Sequence, residues 1–421
     1  MNDDGFAKGY KEISECRICK GTRLQQYVNL EYMPLVNHYV KPDYQSQKDE
    51  VYPLRVNYCL DCSLSQLSIV LDPAKLFTYY AYRSSISGEF SKHCQLLAEN
   101  AKKRFDLRSN ELALDIGSND GSMLYQFKQL GIQVLGIEPA KNLAQLAVQR
   151  SIPTIAEFWN VKTANHLHSK NKAAKLITAM NVFAHVHDLD EFLMGINIAL
   201  DDEGIFILEF PWLLKLIEQV EFDTIYHEHL SYFLLKPLIH LFNRHSLTVI
   251  DVEVYAIHGG SLRLYLKKQT STKWESHTRN IDSILKMEEE AGLYHRDAYA
   301  NFFQKIVTIR NNLCDLIHHL KSQGKKIVTY GASAKGCILT NFCNFGREDI
   351  NYIIDDTPEK KNYLSPGTHL PIVSVESLLQ DKPDYILILA WNFSSEIIKK
   401  VRDLNIYSGS YIIPIPEIQI V

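Results

Sequence analysis

The sequence predicts an α/β fold in three domains, and three observations lead to this prediction. Two cysteine pairs with metal-ligand spacing lie near the N-terminus, and two separate runs of alternating strand and helix patterns follow them. At 421 residues, the chain is long enough for about three domains of roughly 150 residues each. We therefore expect a first domain at residues 1–75, a second with a helical lead-in at 76–270, and a third at 271–421.

The composition is that of a globular protein without a strongly charged partner. Hydrophobic residues make up 46% of the chain, and 45 Lys and Arg residues against 49 Asp and Glu residues give a net charge of -4. Such a balance lacks the basic surface of a nucleic-acid binder. The start of the chain is acidic where a signal peptide would be basic, and no apolar run approaches the roughly 20 residues of a membrane span. We expect a cytoplasmic monomer or weak oligomer that binds neither nucleic acid nor membrane.

The first domain is expected to hold one structural zinc ion. Cys16 and Cys19 form one C-x2-C pair, and Cys59 and Cys62 form the second. Two such pairs supply the four thiolates of a tetrahedral zinc site and leave no open coordination position. Free thiols are the alternative, whereas disulfides are rare in a reducing compartment.

A tyrosine-rich segment leads into the second domain. It contains Tyr79, Tyr80 and Tyr82, and it is followed by residues 83–88 and by a predicted helix at 89–104. Tyrosines at this density either seal a domain interface or form a lid over a binding site.

The second domain opens with a strand, a glycine turn and a helix. Asp115 lies at the end of the strand, and Gly117 and Gly121 lie in the turn. Asn119 replaces the second glycine of the G-x-G-x-x-G pattern, so this is not a dinucleotide fingerprint. The next strand ends in Glu138, about 20 residues after the first glycine, where a carboxylate can accept hydrogen bonds from ribose hydroxyls.

Later strands continue the alternation and end in an antiparallel hairpin. The expected strands are 153–155, 174–180, 204–210, 247–257 and 261–266. This layout is typical of the Rossmann-like domain of class I methyltransferases, which bind S-adenosylmethionine. We expect the cofactor to contact the glycine turn and the two strand-end carboxylates described above.

Residues 222–233 carry an unusual density of groups that can move protons. Tyr226, His227, Glu228 and His229 are consecutive, and they follow a predicted strand that ends near residue 210. Histidine is the side chain whose ordinary pKa lies nearest neutrality, so a histidine beside a carboxylate and a phenol suits general acid and base catalysis.

Two further polar groups follow the fourth strand. Asn181 and His185 lie where the carboxyl end of that strand is expected. Ligands of open α/β sheets bind at this edge, so both residues are candidates for substrate or cofactor contacts.

The third domain repeats the α/β pattern. A strand at 326–330 leads into a turn of small residues that contains Ser333 and Lys335 and opens a helix, and further strands are expected at 350–356, 371–373 and 384–390. Backbone amides at a helix start, with a hydroxyl and a lysine, suit a phosphate or diphosphate. A packing turn with an incidental lysine is the alternative.

Together, these motifs resemble the sugar-nucleotide C-methyltransferases, and the resemblance spans nearly the whole chain. It is carried by the two cysteine pairs and five further segments: residues 33–37, 115–121, 209–211, 226–232 and 331–336. The family methylates dTDP-4-keto deoxysugars at C-3. It has an N-terminal zinc-binding domain, a central S-adenosylmethionine domain and a C-terminal Rossmann-like α/β domain, with the sugar nucleotide held between the last two.

The resemblance implies a catalytic group at residues 226–229. His229 would remove the sugar proton, with Tyr226 and Glu228 beside it. One tyrosine of the 79–82 segment would also enter the site, and Tyr80 is our choice.

The resemblance also implies how the substrate binds. Asn181 and His185 would contact the sugar, and Ser333 and Lys335 would contact the diphosphate. The implied partner is therefore a keto sugar linked to a nucleotide such as dTDP.

Three other functions fit part of the sequence. The protein could methylate oxygen or nitrogen of a sugar or small molecule, with His229 acting on a hydroxyl or amine. The cysteine pairs also occur in RNA-binding and RNA-modifying proteins, but the net charge opposes this function. Finally, His227 and His229 on a strand would point the same way and could ligate a catalytic metal, although no third ligand is evident.

Overall fold

The computed structural model describes residues 9–44, 46–86, 88–170 and 172–421. The acidic start of the chain and Ser87 of the tyrosine-containing segment lie outside these ranges. Within them, no helix combines the length and apolar composition that a membrane crossing requires. The strands in the described ranges form four sheets. The fold class predicted from the sequence is confirmed: α/β with two Rossmann-like sheets behind an N-terminal cysteine cluster.

The N-terminal unit is built on an antiparallel hairpin. Its elements are β1 (Tyr10–Glu12), β2 (Leu24–Pro34), β3 (Val51–Cys59), β4 (Ser65–Leu67), β5 (Ile69–Leu71) and the helix α1 (Pro73–Phe77). Val28 on β2 and Leu54 and Val56 on β3 are buried, so the hairpin has one face in the core. Irregular register in the β2 and β3 pairing marks bulges, which bend a strand and interrupt its alternation.

The central unit is a seven-stranded sheet with helices on both faces. In chain order, its elements and those that flank it are α2 (Gly88–Arg104), β6 (Leu112–Ile116), α3 (Ser122–Gln129), β7 (Gln133–Ile137), α4 (Lys141–Gln149), β8 (Thr154–Ile155), α5 (Val161–Ser169), β9 (Ala174–Met180), α6 (Leu189–Ala199), β10 (Leu200–Pro211), α7 (Leu213–Glu218), β11 (Ser231–Tyr232), α8 (Leu235–Arg244), β12 (Leu247–Tyr255) and β13 (Ser261–Lys268).

The strand order of this sheet is β12-β13-β10-β9-β6-β7-β8. Strands β6 to β10 pair in parallel and are largely buried because helices cover both faces, and β13 runs antiparallel to its two neighbours. The order reverses between β6 and β9. Ligands of open α/β sheets bind at such a switch point, so this edge is the candidate site.

The C-terminal unit is a six-stranded sheet behind two helices. Its elements are α9 (Thr278–Glu290), α10 (Asp297–Ser322), β14 (Ile327–Tyr330), α11 (Ala334–Phe342), β15 (Ile353–Ile354), β16 (Ile372–Val373), α12 (Ser377–Asp381), β17 (Tyr385–Ile388), α13 (Ser394–Asp403), β18 (Ser410–Ile413) and β19 (Gln419–Ile420). The order is β16-β15-β14-β17-β18-β19, and only β19 is antiparallel to its neighbour.

The segment at 222–233 joins the N-terminal and central units. Its last strand, β11, pairs antiparallel with β4, with Ser231 opposite Gln66, and the amide of Leu67 donates to the carbonyl of Leu230 at 2.9 Å. The residues before β11 are therefore held against the N-terminal unit while they lie over the carboxyl edge of the central sheet.

Candidate active site

The four cysteines converge at one end of the N-terminal unit. The Sγ atoms of Cys16 and Cys62 are 3.5 Å apart, those of Cys19 and Cys59 are 3.6 Å apart, and all four lie within 4.8 Å of one another. Four thiolates about 2.3 Å from a tetrahedral zinc ion are separated by roughly 3.8 Å, so the donor set fits zinc. The Gly21 amide also points at the Cys19 sulfur, at 3.4 Å.

The glycine turn after β6 needs both of its predicted glycines. Gly117 and Gly121 have positive φ angles of 67° and 79°, which side-chain-bearing residues rarely adopt. A Cβ atom on Gly117 would also lie 2.4 Å from the nearest methyl carbon of Val182. This turn opens α3, and both glycines are required by its backbone conformation.

Two carboxylates flank this turn, and both are buried. Asp115 accepts a hydrogen bond of 2.6 Å from the Thr178 hydroxyl, and burial raises the pKa of Asp115 to about 7. Glu138 accepts from the amides of Asn119 at 2.7 Å and Ala140 at 2.8 Å. Each oxygen of Glu138 keeps a second lone pair that a ribose hydroxyl can use, so these residues fit S-adenosylmethionine.

Hydrogen bonds hold the tyrosine-rich segment across the glycine turn. The backbone of Tyr80 makes two hydrogen bonds to the side chain of Asn142, the Ser84 amide donates to Asn119 Oδ1, and Asn119 Nδ2 donates to the Tyr82 carbonyl. Tyr82 is 45% exposed, and the neighbouring Tyr79 at 73% is more so. The segment therefore covers the edge of the candidate site and turns the Tyr80 side chain inward.

Glu228 receives one donor on each carboxylate oxygen. The hydroxyl of Tyr80 donates to Oε2 at 2.8 Å, and Nδ2 of Asn37 donates to Oε1 at 2.7 Å. Burial raises the pKa of Glu228 to about 7, although both hydrogen bonds oppose this rise. Burial and the Glu228 charge raise the pKa of Tyr80 well above its ordinary value, so its hydroxyl stays protonated. Asn37 belongs to the N-terminal unit and was not predicted from the sequence as a site residue.

His229 is held as one tautomer. Its Nδ1 lies 2.8 Å from the carbonyl oxygen of Thr224, which can only accept, so Nδ1 carries the proton and Nε2 has a free lone pair. The ring lies 4.9 Å from that of His185 and 4.0 Å from that of Tyr226. Burial, followed by the effect of His185, lowers the pKa of His229 well below 6.5. Burial lowers the pKa of His185 to about 4, so both imidazoles are neutral at pH 7.

His227 faces away from this group. It is 2% exposed, and its ring packs edge-on against Tyr52 of the N-terminal unit. His227 and His229 are expected from the sequence to lie on one strand if they are to ligate a catalytic metal. That placement is wrong, because both residues lie in the turn before β11. Among the described residues, the four cysteines are the only group suited to hold a metal.

Asn181 presents an unpaired oxygen at the end of β9. It has a positive φ of 56°, and its amide donates to the Glu209 carbonyl at 2.8 Å. Its Oδ1 is buried and has no hydrogen-bond partner among the described residues. A buried acceptor without a partner is costly, so this oxygen is suited to receive a donor from a ligand.

The turn of the C-terminal unit meets the central motif. Ser333 caps α11, and Nζ of Lys335 lies 3.1 Å from Oε2 of Glu221 and 4.7 Å from the centroid of the Trp391 ring. The indole of Trp391 donates to Asp223 at 2.6 Å. Burial raises the pKa of Glu221, and Lys335 opposes this rise. The predicted diphosphate turn thus lies at the boundary between the central and C-terminal units.

A second cluster of buried charges was not predicted from the sequence. Glu209 is fully buried between Arg263, whose Nε lies at 2.8 Å, and His93, whose Nε2 lies at 2.8 Å. Burial raises the pKa of Glu209, but His93 and Arg263 outweigh it and lower the pKa overall. A carboxylate within an otherwise apolar strand can be recognised from the sequence. Its partners, His93 on α2 and Arg263 on β13, cannot, because they follow no recognisable spacing. The cluster ties these two elements to β10 beside Asn181.

Three family models match successive parts of the chain. A zinc binding domain matches residues 16–77, a methyltransferase domain matches 87–252, and a C-methyltransferase C-terminal domain matches 256–416. The chain is 32% identical to the C-methyltransferase NovU of Streptomyces niveus over 412 residues, which cover 98% of this chain and 97% of that protein. It is also 31% identical over 101 residues to a ubiquinone biosynthesis O-methyltransferase of Rhodopseudomonas palustris, covering 24% of this chain and 39% of that protein.

Similar solved structures include two methyltransferases. The magnesium protoporphyrin IX methyltransferase of Synechocystis with bound S-adenosylmethionine aligns with a TM-score of 0.33 and 12% identity, covering 42% of this chain and 79% of that one. The plantazolicin methyltransferase BpumL with bound S-adenosylhomocysteine aligns with a TM-score of 0.35 and 17% identity, covering 43% and 86%.

Proposed function

Because the chain belongs to the family of S-adenosylmethionine-dependent C-methyltransferases with an N-terminal zinc-binding domain, we propose that it methylates a carbon of a keto sugar linked to a nucleotide. The target that we propose is C-3, one of the two carbons next to the ketone of a 4-keto deoxysugar. The observation that carries this proposal is the fixed tautomer of His229, a neutral base beside the Tyr80 and Glu228 pair.

Methylation of carbon requires a carbanion-like nucleophile, which a ketone provides as an enolate once a base removes the adjacent proton. In our proposal, Nε2 of His229 takes that proton. The imidazolium that results keeps its Nδ1 proton on the Thr224 carbonyl, which stabilises the new charge. Bound S-adenosylmethionine supplies the electrophilic methyl group.

The enolate oxygen needs hydrogen-bond donors. Burial, followed by the Glu228 charge, raises the pKa of Tyr80 and of Tyr226 well above the ordinary value for tyrosine, so both hydroxyls remain donors at neutral pH. Donors that are fixed before the reaction stabilise a developing oxyanion without reorganisation. We assign this role to Tyr226, and we assign to the Tyr80 and Glu228 pair the placement of polar groups around the sugar.

In this proposal, the sugar and the diphosphate of the substrate bind to different units of the protein. Asn181 and His185 contact the sugar, which places the unpaired Oδ1 of Asn181 opposite a sugar hydroxyl. Ser333 and Lys335 contact the diphosphate of the nucleotide. This division corresponds to domains at residues 1–75, 76–270 and 271–421, with the nucleotide sugar between the last two.

The test uses purified zinc-loaded protein, labelled S-adenosylmethionine and a panel of nucleotide-linked 4-keto sugars. We expect label in a new carbon–carbon bond next to the ketone, located by NMR of the product. The matched control is the same nucleotide sugar with the ketone reduced to a hydroxyl, which cannot form an enolate. Label on oxygen or nitrogen, or equal methylation of the reduced sugar, would contradict the proposal.

A further inference from the structure

We propose that Asn37 of the zinc-binding domain is a positioning residue for the active-site carboxylate of Glu228, an inference that rests on the proposed function. Nδ2 of Asn37 donates to Oε1 of Glu228 at 2.7 Å, across 191 positions of sequence. The other oxygen accepts from Tyr80. The two donors together fix both the position and the rotation of the carboxylate, and one of them comes from a domain that carries no other group of the proposed chemistry.

The loop that carries Asn37 is firmly anchored. Leu35 and Val36 are buried, and the amide of His38 donates to the Leu35 carbonyl at 3.1 Å. Two residues after Asn37, the hydroxyl of Tyr39 donates to the carbonyl of Ala332 at 2.7 Å. The same loop therefore contacts the catalytic segment and the turn assigned to the diphosphate, and Asn37 is held in place from both sides.

Hydrogen bonds also connect the cysteine cluster to the catalytic segment. Arg17 lies between two of the cysteines, and its amide donates to Oε1 of Gln66 at 2.8 Å, while its guanidinium donates to the Leu67 carbonyl at 3.1 Å. Gln66 pairs with Ser231 across the β4 and β11 ladder, only three residues after Glu228. Folding of the zinc site thus orders the strand against which the catalytic segment is built.

Asn37 is expected to act on the charge of Glu228 as well as on its position. The groups that face the carboxylate are three phenols and one amide: Tyr80 from the tyrosine-rich segment, Tyr226 from its own segment, and Asn37 and Tyr39 from the loop. A hydrogen bond to an ionised carboxylate favours the ionised form. Loss of the Asn37 donor should therefore move the acidic limb of the pH profile to higher pH.

The experiment compares Asn37→Ala and the nearly isosteric Asn37→Asp with Asn29→Ala in the full-length zinc-loaded enzyme. Asn29 is a matched control, because its Oδ1 accepts one hydrogen bond, from the Glu31 amide at 3.0 Å, within the same domain. We expect Asn37→Ala to lower kcat by about 10-fold to 100-fold, the range for a hydrogen bond to a charged group. The KM for S-adenosylmethionine, the zinc content and the melting temperature should match those of Asn29→Ala. Asn37→Asp should lose at least as much activity, because it sets a second carboxylate against Glu228.

A double-mutant cycle with Glu228→Gln separates positioning from general stability. If Asn37 acts through Glu228, adding Asn37→Ala to Glu228→Gln should cost no further activity, whereas a purely structural role predicts losses that multiply. Multiplying losses, or an Asn37→Ala enzyme that behaves as Asn29→Ala does, would overturn the inference. A wild-type enzyme that fails to methylate carbon is a different result, which rejects the proposed function itself. If Asn37→Ala does not fold, Asn37→Ser, which also removes the amide donor without adding a charge, carries the same comparison.

Discussion

Replacement of His229 by Asn separates the proposed base from the rest of the site. The asparagine amide nitrogen can take the place of Nδ1 and keep the hydrogen bond to the Thr224 carbonyl, which the imidazole makes at 2.8 Å. What the variant lacks is Nε2, the nitrogen with the free lone pair. The substitution therefore removes the proposed proton acceptor while it keeps the local backbone contact.

We expect His229→Asn to lower the rate of methylation strongly. General base catalysis contributes about 10²–10⁴-fold, which corresponds to roughly 2.7–5.4 kcal/mol of activation free energy. Because the pKa of His229 lies well below 6.5, the imidazole is already neutral at pH 7 in the folded protein. Its protonation therefore cannot account for any change in rate between pH 6.5 and 8, and the variant should be impaired across that whole range.

Proton exchange provides an assay that needs no methyl transfer. With S-adenosylhomocysteine bound in heavy water, wild-type enzyme should introduce deuterium at the carbon that is normally methylated, because enolate formation needs no methyl donor. Exchange and methylation should fall together in His229→Asn. The matched control is His187→Asn, since His187 is exposed and lies outside the group described above. A folded His229→Asn enzyme that binds both substrates and methylates at near wild-type rate would refute the assignment.

Three further predictions test the metal, the diphosphate turn and the carboxylate. Cys59→Ser should abolish the binding of one zinc per chain, measured by metal analysis. It should also lower the melting temperature, because about 10–16 kcal/mol of zinc-binding free energy is coupled to folding in such domains. Full zinc occupancy in the variant would contradict this prediction. Lys335→Met should raise the Kd of the nucleotide sugar about 10-fold to 100-fold and leave the Kd of S-adenosylmethionine unchanged, as measured by calorimetry. The control is Lys361→Met, because Lys361 is exposed. Equal weakening of the binding of both ligands would argue against the assignment. Glu228 is neutral below its raised pKa of about 7, so kcat should fall as pH drops through 7. Glu228→Gln should remove this acidic limb of the pH profile. If the acidic limb persists in the variant, it belongs to another group.

The family, the fold class, zinc and S-adenosylmethionine were all predictable from sequence, and all are confirmed. Apolar runs made the strands of the central sheet recognisable: β9 at Ala174–Met180 has the predicted bounds, because most residues of this buried parallel strand are apolar. The N-terminal strands β2 and β3 were not predicted. Bulges near Gln26 and Asn29 interrupt the alternation by which a strand is recognised. The two-residue strands β11 and β19 were not predicted either.

The site was predictable where residues are neighbours in sequence and less so where the fold brings them together. Spacing could not decide among Tyr79, Tyr80 and Tyr82, because the segment is irregular and its direction is set by hydrogen bonds to Asn142 and Asn119. For the same reason, the contact of Asn37 with Glu228 could not be predicted, although residues 33–37 carry part of the family resemblance. Whether each site residue has its assigned role stays a prediction for the experiments above.

The density of polar groups at residues 222–233 has a physical reason that goes beyond catalysis. Consecutive residues of this turn face different parts of the protein: Asp223 accepts from Trp391 of the C-terminal unit, and His227 packs on Tyr52 of the N-terminal unit. Between these two anchors, Thr224 presents its carbonyl to His229. The residues before β11 form no strand pairing, so contacts with the neighbouring units fix the path of this part of the segment. The segment that carries the proposed base is therefore also the junction of the three units, and its geometry depends on all of them being folded.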